Sequence, residues 1–349
     1  MNLKYTILES LFKLRHSSFE SLHTGRLKYF MKQNVPNVLQ KYLFNKKLKS
    51  IKQFPENIVI ETTSICNAKC WFCPQPTMTR KASYMDFGLF KKLIKEIRQN
   101  MKYVKNIGLF MDGEPTLHKE LLKFLRYARS KNINKIYLSS NMEYFTPKFT
   151  DELFASDLGD TLLYVICSLD GVSPDTHRQT RINVDYEKAV ANTEYLIKAK
   201  KDNKANYPWV FTRLLVNELT KDEADQFVKK WQNKADKVLV SKMHNWGGQI
   251  DDNRIIDIES TVFGSTCYLP FSQIVIQFDG NSRLCCVDTN GTALTGDLNS
   301  QSIKQVWDGM VLSEYRRGQL EKNSELLPYI CENCTYPSKG QWNEPFYWS

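Results

Sequence analysis

Between residues 58 and 242 the chain alternates short β-branched runs with amphipathic helical patterns, and this alternation narrows the fold more than any other feature. Strand-like runs fall at 58–61, 106–111, 135–138, 162–168, 209–216 and 237–242. Between the first two, Asp86 stands as a helix N-cap ahead of Phe90, Leu93, Ile94 and Ile97, spaced i, i+3, i+4 and i+7 on one face. Residues 121–130, 186–200 and 221–232 repeat the helical theme. Such alternation predicts parallel βα units, and six of them predict an α/β fold built as a partial (β/α)6 barrel. In α/β folds the chemistry collects at the carboxyl ends of the strands.

Directly after the first run come Cys66, Cys70 and Cys73, in the stretch C-N-A-K-C-W-F-C. Three thiolates within eight residues can hold three irons of a [4Fe–4S] cube and leave the fourth iron open. Zinc and unpaired core cysteines are the alternatives. A structural zinc site takes four ligands, usually in paired C-x2-C form. The nearest histidines, His23 and His118, lie 43 residues before Cys66 and 45 after Cys73. The spacing favours the open cluster. With Phe72 ahead of its last cysteine, the C-x3-C-x-Φ-C pattern resembles the radical SAM superfamily.

Further stretches extend that resemblance over about residues 55–335. Met111-Asp112-Gly113-Glu114-Pro115, after the second run, resembles the superfamily's G-G-E-P loop, with Asp112 at the first glycine. A carboxylate at a strand end can accept hydrogen bonds from an amino group, as the methionine part of SAM requires. Ser139-Ser140-Asn141 resembles the ribose-contacting T-N-G motif. Ser168-Leu169-Asp170-Gly171, followed by Arg178 and Arg181, resembles the S-x-D-G…R pattern that binds the SAM carboxylate. The planar fork of an arginine suits a carboxylate. The resemblance thus implies Phe72, Gly113, Glu114, Ser140, Asn141, Ser168, Asp170 and Arg181 as SAM-binding residues, and a [4Fe–4S] cluster on Cys66, Cys70 and Cys73. Each stretch, taken singly, also fits a helix cap or a surface turn.

Near Arg254 the pattern changes. Residues 255–266 read as a linker, 273–278 and 282–287 as two strands, and Asp279-Gly280-Asn281 as their turn. Helical segments follow around 303–307 and 314–320. Cys267, Cys285, Cys286, Cys331 and Cys334 fall in this piece. Four of the five can close a four-thiolate site, for which zinc is a rival by ligand type alone. The order C-x12-G-x4-C, then C-x2-C, resembles the SPASM/Twitch extension of radical SAM enzymes. That resemblance implies a second [4Fe–4S] cluster on Cys267, Cys285, Cys331 and Cys334, with the glycine spacing selecting Cys285 over Cys286. The expected domains are a basic helical extension over 1–52, the barrel over 53–253, and a small β-hairpin/helix iron–sulfur domain over 254–349.

Of the net charge of +10, +8 lies in residues 1–50, where ten Lys/Arg meet only Glu9 and Glu20. Apolar residues interleave with them, partly at helical spacing. Such a segment either packs on the main domain with a solvated basic face or lies on an anionic membrane surface. No zinc-finger or RNA-recognition motif accompanies it, so a nucleic-acid partner is not expected. Nine cysteines without a secretory signal argue against a disulfide framework and for a reducing cytosol, with a peripheral membrane location as the variant. Cys167 reads as a packed strand residue. His244 and Trp246 in M-H-N-W-G-G are candidates for the pocket mouth, and His244 is a candidate catalytic group. Asp288 is a candidate general base or a turn residue.

The resemblance implies an enzyme that cleaves SAM reductively to a 5′-deoxyadenosyl radical and abstracts hydrogen from a substrate carbon. A flavodoxin- or ferredoxin-type reductant would supply the electron. The second cluster would accept an electron from the substrate or support the fold. A carbohydrate or aminocyclitol-type substrate, nucleotide- or lipid-linked in one variant, undergoing oxidation or epimerisation is the first expectation. Peptide modification, activation of a glycyl-radical enzyme, and a zinc-stabilised binding protein are the alternatives.

Overall fold

The computed structural model describes residues 53–156, 158–256 and 267–336. The expectations for residues 1–52, a basic helix and a membrane contact among them, lie outside these. Six parallel strands alternate with helices: β1 Asn57–Ile60, α1 Phe87–Gln99, β2 Asn106–Gly108, α2 Leu121–Ser130, β3 Ile136–Ser140, α3 Pro147–Ala155, β4 Leu162–Ser168, α4 Pro174–Thr180, α5 Tyr186–Asp202, β5 Trp209–Val216, α6 Ala224–Trp231 and β6 Lys237–Lys242. They form a partial α/β barrel. Local chemistry explains the helix starts. Asp86 accepts from the backbone N–H of Gly88 (2.6 Å) and Leu89 (3.2 Å), and α1 buries Phe90, Leu93, Ile94 and Ile97. Thr146 caps α3, which has Pro147 at its first position, and Asp185 caps α5.

The C-terminal piece continues the same sheet. The short helix α7 Leu269–Ser272 leads into β7 Gln273–Ile276, which pairs in parallel with β1, Ile58 opposite Ile274. On its other side β7 pairs antiparallel with β8 Asn281–Arg283, and β8 with β9 Leu294–Asp297. The nine strands run β6-β5-β4-β3-β2-β1-β7-β8-β9. Helices α8 Ile303–Trp307, α9 Met310–Glu321 and α10 Tyr329–Glu332 complete this end. The main apolar core extends from Phe54 to Tyr336 through both parts, and Tyr137, Tyr164, Ile166 and Phe211 form a smaller second cluster.

Several local details differ from the sequence expectation, which also lacked α3 and α4. β2 ends at Gly108 rather than at 111, because the chain turns inward where Asp112 is held by two arginines. β8 ends at Arg283 rather than at 287, which leaves Cys285 and Cys286 on a loop. There the Asp288 carboxylate binds the backbone N–H of Thr292 (2.9 Å) and Ala293 (2.8 Å) and stops the strand. β9 was not foreseen. Its sequence L-T-G-D has little strand character, and pairing with β8 imposes the conformation. The expected hairpin turn is present, with Gly280 at φ +93°, where a Cβ would stand 2.5 Å from the Asn299 side chain. Among the described residues, no helix is long and apolar enough to cross a membrane.

Candidate active site

One cavity of about 220 Å³ opens where β1, β2 and β3 end and reaches the tips of β4–β6 and the C-terminal loops. Beyond β1 the chain is pinned before it turns into the cysteine loop. The Thr63 hydroxyl donates to the Ser83 carbonyl (3.0 Å), and the Ser83 N–H donates to the Ser64 hydroxyl (3.1 Å). The loop itself turns on a bond from the Cys73 N–H to the Cys70 carbonyl (3.1 Å). Cys66, Cys70 and Cys73 are all free thiols and all line the cavity. Burial, with the Glu114 charge adding to it, pushes the Cys66 thiol up to about 12. Burial also raises Cys70, against the nearby Arg181, and Cys73, where the Cys70 charge adds to it. Thiols raised in this way keep their protons at neutral pH unless a cationic group replaces those protons.

The other strand ends are sewn to this loop. The Glu114 N–H donates to the Ile65 carbonyl (2.9 Å). A Cβ on Gly113 would lie 2.3 Å from the Thr63 carbonyl oxygen, so only glycine allows the approach. The buried Glu114 carboxylate accepts from the Thr116 N–H (3.1 Å) and hydroxyl (2.6 Å), the Ser140 hydroxyl (2.8 Å) and the Asn141 N–H (2.8 Å). Burial raises its pKa. The Asn141 amide donates to the Asn67 side chain (2.9 Å) within the cysteine loop. Farther along, Arg213 donates to the Ser168 hydroxyl (2.9 Å). Asp170 is fully buried and holds Arg181 at 2.8 Å through Nε and 2.6 Å through Nη2. Its other oxygen accepts from the Leu215 N–H (2.7 Å). Arg181 therefore stands 3.8 Å from the Cys70 sulfur and 5.6 Å from the Phe72 ring. Arg178 instead faces outward and pairs with Asp175.

Phe72, Gly113, Glu114, Ser140, Asn141, Ser168, Arg181 and His244 all line the cavity, and Asp170 supports Arg181 from behind. Asp288 does not line it. Both carboxylate oxygens are bound by Thr292 and Ala293, which is the turn-residue role. The His244 Nδ1 accepts from the Trp246 N–H (3.1 Å), and burial together with Arg213 pulls its pKa down to about 4. The ring is neutral, with its hydrogen on Nε2. Several lining residues were absent from the sequence expectation: Arg213, Lys242, Tyr268, Gln273 and Tyr336. Of these, Arg213 left a signal, a lone charge inside the apolar run W-V-F-T-R-L-L-V.

The five C-terminal cysteines gather beside the cavity. Cys267 and Cys285 are raised first by burial and then by the neighbouring thiols, Cys331 and Cys334 among them. Burial pushes Cys286 and Cys331 up to about 12. The C-x2-C turn docks on the loop after β6: Asn245 donates to the Asn333 carbonyl (2.6 Å) and accepts from the Thr335 N–H (3.1 Å). The Cys267 N–H donates to Gln319 on α9 (2.9 Å). Cys286 alone of the five lines the cavity. Among the described residues, no three His, Cys, Asp or Glu groups gather tightly enough for one bare ion. Thiolates around a cube stand farther apart, because each binds a different iron. Two groups of free cysteines, buried or half-buried, three beside a cavity and five beside its wall, fit soft iron–sulfur ligation.

A partial α/β barrel with cysteines at the end of its first strand, beside a strand-end cavity, defines an iron–sulfur enzyme. The chain belongs to the radical SAM superfamily: residues 60–230 match that family model, and residues 267–335 match an iron–sulfur cluster-binding domain of the SPASM type. Its cofactors are SAM and [4Fe–4S] clusters. The chain is 22% identical over 278 residues to the S-adenosyl-L-methionine-dependent 2-deoxy-scyllo-inosamine dehydrogenase of Niallia circulans, covering 79% of this chain and 91% of that protein. Among solved structures, BtrN in complex with AdoMet and 2-DOIA superposes with a TM-score of 0.53 at 19% identity, over 81% of this chain and 94% of BtrN. Streptococcus suis SuiB bound to the precursor peptide SuiA gives 0.62 at 14% identity, over 90% of this chain and 78% of SuiB.

Proposed function

We propose that this enzyme oxidises a small, polar, ring-type substrate of the carbohydrate or aminocyclitol class. One observation carries the proposal: the Cys66–Cys70–Cys73 loop and the second cysteine set border the same cavity, with Cys286 in its wall. A substrate held there touches both sides, and oxidation needs a place for a hydrogen and a place for an electron. In this reading Cys66, Cys70 and Cys73 hold the SAM-binding cluster, and Cys267, Cys285, Cys331 and Cys334 hold the auxiliary one. When bound, the cluster and SAM supply reductive cleavage and hydrogen abstraction. The chain does the rest. Glu114, Ser140 and Asn141, already joined to one another, offer the SAM amino group and ribose a fixed polar wall. Arg181, locked by Asp170, presents a guanidinium to the SAM carboxylate. Trp246, Tyr268 and Tyr336 offer ring faces to a substrate, and Arg213, Lys242 and neutral His244 offer polar contacts. The curated relative that is an aminocyclitol dehydrogenase supports the substrate class.

A peptide substrate is the second reading, and the likeness to SuiB, which is one of fold, raises it. The sequence likeness to the aminocyclitol dehydrogenase, which extends over 91% of that protein, favours the small ring. Anaerobic reconstitution tests the choice. With a panel of aminocyclitols and sugars, one member should be converted to a ketone with stoichiometric 5′-deoxyadenosine. About eight irons per chain are expected from two cubes. Zinc content without SAM cleavage would overturn the enzyme assignments, and turnover of peptides but not of any ring substrate would overturn the substrate class.

A further inference from the structure

Four charged side chains, three of them outside every motif used so far, meet beneath the cavity. Glu61 follows β1, Arg80 follows the cysteine loop, Asp112 precedes Gly113, and Arg283 ends β8 two residues before Cys285. Asp112 Oδ2 accepts from Arg80 Nη2 at 2.7 Å and from Arg283 Nη1 at 2.6 Å. Arg80 also forks onto Glu61, with Nη1 at 2.9 Å from Oε2, and Glu61 accepts from the Phe278 N–H (3.2 Å). The side-chain exposures are 0% for Glu61, 13% for Arg80, 3% for Asp112 and 0% for Arg283. With both carboxylates ionised the quartet is neutral as a whole; burial, with the Asp112 charge adding to it, pushes Glu61 up to about 7. Removing one member leaves a charge unpaired in a dry site.

Other donors of the two arginines reach the loop that carries the auxiliary cysteines. Arg283 Nη2 lies 3.5 Å from the Cys286 carbonyl, and Arg283 Nη1 lies 3.1 Å from the Thr289 carbonyl. Arg80 Nε donates to the same Thr289 carbonyl at 2.7 Å. Asp112 itself lines the cavity beside Gly113 and Glu114. A glycine at this position, as in the superfamily pattern, would leave the two guanidiniums facing each other without their shared acceptor.

We propose that Asp112, through Arg80 and Arg283, is a positioning residue that fixes the auxiliary cysteine loop against the SAM-side loops and sets the charge balance felt by the auxiliary cluster. The proposal rests on the assignment of that cluster to the C-terminal cysteines. Cluster potentials follow local charge and hydrogen bonding. Loss of the Asp112 charge leaves a net cation near the cluster and favours its reduced form. Loss of the Arg283 charge acts in the opposite direction.

The test uses the full chain in a Cys70→Ala background, where only the auxiliary cluster remains, and reads its midpoint by an EPR-monitored redox titration. Asp112→Asn should raise the reduced-to-oxidised ratio at a fixed poise about tenfold, about 59 mV for one electron. Arg283→Gln should lower it, and the double variant should return most of the way. A purely structural role would reduce iron content in both variants without opposite-signed shifts. Arg283→Lys keeps the charge, and its midpoint should stay within about threefold, about 28 mV. It serves if the neutral variants hold too little iron. Full iron content with unchanged midpoints, or shifts of one sign in both neutral variants, would overturn the proposal alone, as would a large shift in Arg283→Lys. If Cys70→Ala carries no cluster, the auxiliary-cluster assignment falls and this proposal falls with it.

Discussion

The two cysteine sets differ in how the chain brings them together. Cys66, Cys70 and Cys73 occupy eight consecutive residues at the end of β1, so a single short loop presents all three. Cys267, Cys285, Cys286, Cys331 and Cys334 come from separated stretches that meet only after β7 pairs with β1 and the C-x2-C turn docks on Asn245. Closing a short loop needs little ordering, whereas the second set requires the folded C-terminal part. The first set therefore has the character of a reaction site carried on a finished scaffold. In the proposed reading the second is both a ligand set and a clasp.

That contrast predicts opposite variant profiles. Cys70→Ala should have the largest effect, with SAM cleavage at background and iron near four per chain, about one cube. Its thermal midpoint should stay near that of the parent. A large fall in melting temperature would show that the first set also holds the fold together, and the contrast would be lost. Cys331→Ala should show the reverse: partial SAM cleavage, lower product yield, and a clearly lower melting temperature because metal binding is coupled to folding. Iron counts, 5′-deoxyadenosine release and thermal melts on the same samples decide both cases.

The smallest effect concerns pH and is read at a histidine on the SAM side. His177 is buried behind Asp170 and Arg181, with neither ring nitrogen hydrogen-bonded, and burial with the Arg181 charge pulls it down to about 4. An unfolded histidine titrates near 6.5, so the unfolded chain takes up the proton first on acidification. The stability contribution is complete above about 6.5 and is lost as pH falls from there toward 4, by at most about 3 kcal/mol. His177→Phe should lessen the slope of the stability profile across that window in urea melts, with His244 supplying the remainder. An unchanged slope would place the acid sensitivity elsewhere, with His244, which burial also pulls down to about 4, as the next candidate.

Much of this was legible in sequence because it is local. Asp86 and the apolar stripe behind it specify α1, and the β-branched run specifies the strand that launches the cysteine loop. Motifs at three strand ends could be read separately, and parallel packing then placed Glu114 within hydrogen-bond reach of Ser140 and Asn141. Asp112 was visible only as a departure from a glycine, because its partner Arg283 lies 171 residues away. Arg80 and Glu61 left no trace, since a single charge beside a turn is ordinary. β9 escaped for a related reason: its four residues favour a strand only beside β8.

The pairing of β1 with β7 gives the molecule a built-in ruler. Residues 57–60 are bonded in register to 273–276, and the same β1 leads within six residues to Cys66 while β7 turns through β8 to Cys285. The interval between the two sulfur nests is thus counted out in backbone repeats of one sheet. Where two separate lobes would have to find each other at every turnover, this chain carries the spacing of its redox centres as a fixed dimension, as a tuning fork carries its pitch.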